Sequence, residues 1–143
     1  MMNIKLKNLY IVCILMLGCF ISATSQEVIL IAHKDIGFDT IKSKDVKYIF
    51  LGKIRKLKGV KINPVTIKSG DVHDRFLDLY IKRNSRQYSK FWKKILFTGK
   101  GKPPKSFKTE AELIKYVAST PGAIGYISKL DKAEGVIQLK AKD

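Results

Sequence analysis

The segment AELIKYVASTPGAIGYIS, residues 111–128, constrains the fold more than any other stretch of the chain. Leu113, Ile114 and Val117 set an apolar face at helical spacing, and Thr109 with Glu112 forms a capping box ahead of them. Pro121 cannot continue a helix comfortably, and Gly122 can take the positive-φ position that closes one. Ala123 to Ile127 then reads as a buried strand, with Gly125 leaving room where a backbone or a ligand comes close. A helix, a tight turn and a buried strand follow one another directly.

The rest of the chain repeats both kinds of signal. EVILIAH (27–33) is a short β-branched apolar run and reads as a strand, as do VKINPVTI (60–67) and GVIQLK (135–140). Pro64 places its strand at an edge or a bulge. SKDVKYIFLGK reads as a short helix with Ser43 as N-cap, Val46, Ile49 and Phe50 inward, and Gly52 at the C-cap. SGDVHDRFLDLYIK reads as a second helix, capped by Ser69 or Asp71, with Val72, Phe76, Leu79 and Tyr80 as its stripe. In NSRQYSKFWKKILF the residues Tyr88, Phe91, Trp92, Ile95 and Leu96 form a broad stripe that reads as core rather than as a ligand platform. TGKGKPPKS (98–106) is a loop by composition. Helices and strands interleaved over one short chain predict an α/β fold, helices packed on a small mixed sheet.

Residues 1–25 predict a secretory signal peptide. Lys5 and Lys7 stand without an acid, 13 apolar residues follow, and Ala23 and Ser25 give a small-residue cleavage pattern. The run is short for a membrane span. An uncleaved anchor is one alternative; lipid attachment at Cys19, after Gly18 but in a poor lipobox, is another. Cleavage near Ser25 leaves a domain of 26–143 in the periplasm or medium, without Cys13 or Cys19. Zinc–thiolate sites, cysteine nucleophiles and disulfide frameworks are thereby excluded. The remaining 26 basic and 12 acidic residues give +14. Such a balance favours anionic partners or a solvated lysine-rich surface, and export argues against nucleic acid.

No HExxH, GxSxG or P-loop is present, and no serine lies in a nucleophile-elbow context, so the chain reads as a non-enzyme without a cofactor. His73 with Asp74 and Asp78 lacks a convincing further ligand pair and reads as a surface histidine beside surface acids, with no metal. Ser69 and Gly70 directly precede a predicted helix. Helix-start N–H groups, a hydroxyl and Arg75 together offer a site for a small oxyanion. Asp71 opposes it, because its carboxylate competes for the same amides and repels an incoming anion. Lys100, Lys102 and Lys105 with Gly99 and Gly101 make the 98–106 loop a second basic feature, read first as solvated.

The order YIFLGK, INPVTIKSGDVHDRF, FWKKILFTGKGKPPKSF and VASTPGAIGYIS resembles small exported proteins related to the periplasmic phosphate-binding component of phosphate ABC importers. The resemblance spans nearly all of residues 27–140. It implies a single lobe of the type 2 periplasmic-binding-protein-like fold, with phosphate or another oxyanion as ligand and an ABC transporter or sensing system as partner. It also makes Thr120, Gly122 and Tyr126 structural residues first and ligand neighbours second. Ser69 and Gly70 match the family's Ser-Gly, whereas Asp71 stands where a threonine is usual and Lys68 stands in a stretch that lacks the usual arginine. The competing expectation is a basic envelope interaction protein that docks on an anionic partner and has lost the ligand site. Intact-mass measurement of the exported protein is expected to show the loss of about 25 residues; a mass retaining Met1, or a diacylglycerol on Cys19, would contradict this.

Overall fold

The computed structural model describes residues 27–143. The order is β1 (Ile29–His33), β2 (Thr40–Lys42), α1 (Ser43–Phe50), β3 (Lys56–Leu57), β4 (Val60–Lys61), β5 (Asn63–Ile67), α2 (Asp71–Phe76), α3 (Ser85–Phe97), β6 (Lys105–Phe107), α4 (Glu110–Ser119), β7 (Ala123–Ile127) and β8 (Val136–Lys142). A π-helical stretch, Leu77–Ile81, continues α2 without a break. The signal-peptide reading, its cleavage point and both cysteines lie outside the described residues. Among those residues no helix is long and apolar enough to cross a membrane.

Six strands form one mixed sheet in the order β2-β8-β1-β7-β5-β6, and β3 and β4 pair separately. β1 is antiparallel to both β7 and β8, while β5 runs parallel to β7 and to β6. All five residues of β7 are buried, as a central strand covered on both faces requires. Leu113 and Val117 of α4 are fully buried, and the helix packs on β1, β5 and β7. Phe50, Phe76 and Tyr126 tie α1 and α2 to β7. The Phe76 and Tyr126 rings stack at 3.8 Å between centroids, and Phe50 meets Phe76 edge-on at 4.7 Å. Aromatic pairs of this kind add about 0.5–1.5 kcal/mol each beyond their buried area.

The predicted helices and principal strands are present, and the mixed α/β architecture is that expected. Several local expectations are corrected. The 60–67 run is two strands, because Ile62 turns its N–H to the Arg55 carbonyl (2.9 Å) before β5 begins. Pro64 lies inside the sheet, one residue before β6 starts to pair at Val65, so β5 has a neighbour on one side only at that level. Ser43 is the first helical residue rather than the cap, and its hydroxyl donates to Asp143 (3.1 Å). Neither Ser69 nor Asp71 caps α2, whose N-cap is Gly70 with no side-chain bond. The π-helical turn shifts the inward face from Leu79, which is exposed, to Leu77 and Ile81. Leu96 is also exposed, so the α3 stripe narrows to Tyr88 and Trp92 with Phe91 and Ile95 half-buried. Thr109 accepts from the Glu112 N–H as expected, but Glu112 reaches Lys108 N–H instead of closing the box on Thr109.

The Thr-Pro-Gly turn is fixed by two constraints. Gly122 has φ +78°, and a Cβ there would collide with the backbone carbonyl of Lys61. Its own carbonyl accepts from Asn63 N–H (2.9 Å), which registers the turn on β5. At Gly125 a Cβ would lie 2.8 Å from Leu113 Cδ2 and 3.0 Å from Val65 Cγ2, so the glycine lets α4 close on the sheet. Gly125→Ala is expected to cost about 1–3 kcal/mol by overpacking. Gly122→Ala should cost more, since backbone cannot move aside as a leucine tip can and the alanine is strained at positive φ. Urea denaturation of both variants measures the order.

Candidate functional site

β5 and β7 run parallel and carry Thr66 and Tyr126 into the space beneath α2. The Tyr126 hydroxyl lies 2.5 Å from Thr66 Oγ1 and 2.6 Å from His73 Nδ1, and it accepts from Ile67 N–H at 3.2 Å. All three side chains are buried. His73 is therefore not the surface histidine expected. It precedes Phe76 and Leu77 by three and four residues, and so falls on the same inward face. Burial is the main perturbation and lowers its pKa below 6.5, with the nearby Asp74 carboxylate opposing. Burial also raises Tyr126, against the hydrogen bonds from Thr66 and Ile67, and pushes Tyr88 up to about 12.

Thr66 and His73 form the inner wall of a cleft of about 540 Å³. Lys68, Arg86 and Lys93 stand around it, Ser85, Ser89 and Ser106 add hydroxyls, and no aspartate or glutamate lines it. Tyr88 and Trp92 make an aromatic side. The Tyr88 hydroxyl donates to the Phe50 carbonyl at 2.9 Å. The Trp92 Nε1–H is buried with no acceptor in hydrogen-bonding geometry among the described residues, and its nearness to the Tyr88 hydroxyl opposes the rise that burial causes there. Asp74 is drawn away into a hydrogen bond from the Ser85 hydroxyl. A cleft of this chemistry suits a small anion.

Ser69 and Gly70 form the exposed turn between Lys68 and α2; Lys68, next to Ser69, and His73, three residues after Gly70, line the cleft, and the two turn residues do not. The N–H groups of the first helical turn after Gly70 have no intrahelical carbonyl to bond. Arg75 is on the exposed side of α2, two residues beyond the inward His73, and does not line the cleft. Asp71 is exposed in the first turn. Lys68, Arg86 and Lys93 are thus the cations gathered at this cleft, and the last two carry no motif by which the sequence marks them. Among the described residues no group of three His, Cys, Asp or Glu converges to hold a metal.

No protein-family model matches the chain, and no curated protein matches it. Solved structures do. A candidate phosphate ABC transporter substrate-binding protein from Clostridium perfringens, with bound phosphate, superposes with a TM-score of 0.62 at 20% identity over 80% of this chain. PstS from Borrelia burgdorferi gives 0.59 at 21%, and an ABC-type phosphate transport receptor from Vibrio cholerae gives 0.53 at 16%, each again over 80% of this chain. The chain spans 44–46% of the length of these proteins. Its fold is that of a fragment of a periplasmic-binding-protein-like molecule, as the resemblance implies.

Because burial lowers the His73 pKa, the unfolded chain takes up that proton at a higher pH than the folded one. The stability contributed by neutral His73 is complete above about 6.5 and is lost as pH falls through the folded value. Imidazole NMR should show His73 titrating below that point, and His73→Gln should flatten the fall of stability on the acid side.

Proposed function

We propose that this chain is an exported, non-enzymatic solute-binding-like module that takes phosphate or another small oxyanion for an ABC importer or sensing system. The observation that carries this reading is the cleft beside the Ser69–Gly70 turn, ringed by Lys68, Arg86 and Lys93 without a carboxylate. The phosphate-bound structure from Clostridium perfringens, which shares the fold, supports the ligand class. In this reading Ser69 and Gly70 present hydroxyl and N–H donors at the start of α2. Arg75 stands one turn along on the exposed side of α2, outside the cleft, and in this reading folds back over the helix start to add a charge-assisted hydrogen bond. Asp71 weakens the site by placing a like charge at the same amides.

Calorimetric titration of the exported protein with phosphate and sulfate at fixed ionic strength tests the reading. Asp71→Thr should strengthen phosphate binding and Arg75→Ala should weaken it. Raising salt should reduce the affinity only in part, since diffuse attraction is screened within about 8 Å at physiological strength while donor contacts persist. Tight phosphate binding indifferent to both substitutions would move the site elsewhere. Absence of binding to either anion would reject the ligand class.

A further inference from the structure

A second cleft, of about 580 Å³, shares Trp92, Pro103 and Pro104 with the first. Its chemistry is different. Ile54, Ile62 and Val65 contribute apolar wall from the chain between α1 and the middle of β5; Phe91 and Ile95 come from α3, and Tyr116 from α4. Around this apolar body stand Lys53, Arg55, Lys100, Lys102 and Lys105, and no acidic residue lines it. The Lys129–Asp131 ion pair lies elsewhere.

Two of the cations, Lys105 and Arg55, lie against this surface. Lys105 Nζ stands 4.7 Å from the Tyr116 ring centroid. The Arg55 guanidinium and Ile95 Cγ2 lie 3.7 and 3.3 Å from where a Cβ on Gly101 would be, so the basic loop after α3 lies down on this wall. Gly52 serves the same surface, since a Cβ there would come 2.8 Å from Trp92 Cη2. Five like charges without a counter-charge raise the local positive potential. An inorganic anion would answer the charge and leave the aromatic wall wet; an uncharged apolar molecule would do the reverse. Only a ligand with both parts satisfies the cleft, and the volume suits one small organic molecule.

We propose that this cleft binds an amphiphilic anion: an apolar body against Trp92, Phe91 and Ile95, with a carboxylate head among Lys100, Lys102 and Lys105. The site adjoins the first cleft across Trp92, Pro103 and Pro104 but has its own cations, and failure of phosphate binding in the first cleft leaves this assignment standing. Trp92 is the chain's sole tryptophan and lines both clefts, so its emission reports binding, and Lys100, Lys102 and Lys105, which line the second cleft alone, locate it. Titrating the full chain with dodecanoate, below its micellar concentration, should shift tryptophan emission saturably. Dodecanol should bind about tenfold more weakly or less, and millimolar phosphate should not displace dodecanoate. Replacing Lys100, Lys102 and Lys105 together by Gln, all exposed and outside the core, should weaken dodecanoate about tenfold, which is 1.4 kcal/mol, and leave dodecanol unchanged. The proposal is overturned by an emission that does not saturate, by equal binding of dodecanol, by a lysine triple variant that binds dodecanoate as before, by displacement with phosphate, or by a response to anionic lipid vesicles alone.

Discussion

The Tyr126 side chain is where the parts of this molecule are joined. Its ring stacks on Phe76 and its hydroxyl is shared by Thr66, His73 and the Ile67 N–H. One residue thereby sets the distance between two parallel strands and the helix above them. A buried hydroxyl without partners would cost about 1–3 kcal/mol, and here every capacity is used. The hydrogen bonds also seat His73 as an inner wall of the first cleft. Packing and site geometry are therefore one arrangement.

The architecture was legible to the extent that it rests on long apolar patterns. β1, β7 and all four helices declare themselves by β-branched runs or by helical spacing of apolar residues, and the Pro121–Gly122 stop marks a boundary with a steric cause. β2, β3, β4 and β6 do not. They are two or three residues long and rich in lysine; β2 and β6 pair with strands distant in the chain, and β3 and β4 pair only with each other over two residues, too short for an alternating pattern to show. The π-helical turn was equally hidden, because LDLYI is compatible with an ordinary helix that would bury Leu79.

The candidate site was legible in part. Ser69 and Gly70 stand out because a helix start has a recognisable chemistry. Arg75 stands out by charge, yet the fold places it on the exposed side of α2. His73 was misread because histidine beside aspartates looks solvated, whereas its side chain is turned inward with Phe76 and Leu77. Lys68, Arg86 and Lys93 converge only when α3 is laid beside β5. Among so many lysines, composition cannot single out the ones that share a cleft.

The sheet order has a consequence for how the chain reaches this state. β1 lies at the start of the described residues, and both of its partners, β7 and β8, fall between Ala123 and Lys142. The middle of the sheet cannot assemble until those last segments are available, however early the helices between them form. Contacts of such sequence separation slow folding, since the loop they close must be ordered first. In newly made chain β1 therefore stays without its sheet neighbours until residues 123–142 have emerged, and both of its edges remain open to other pairings until then.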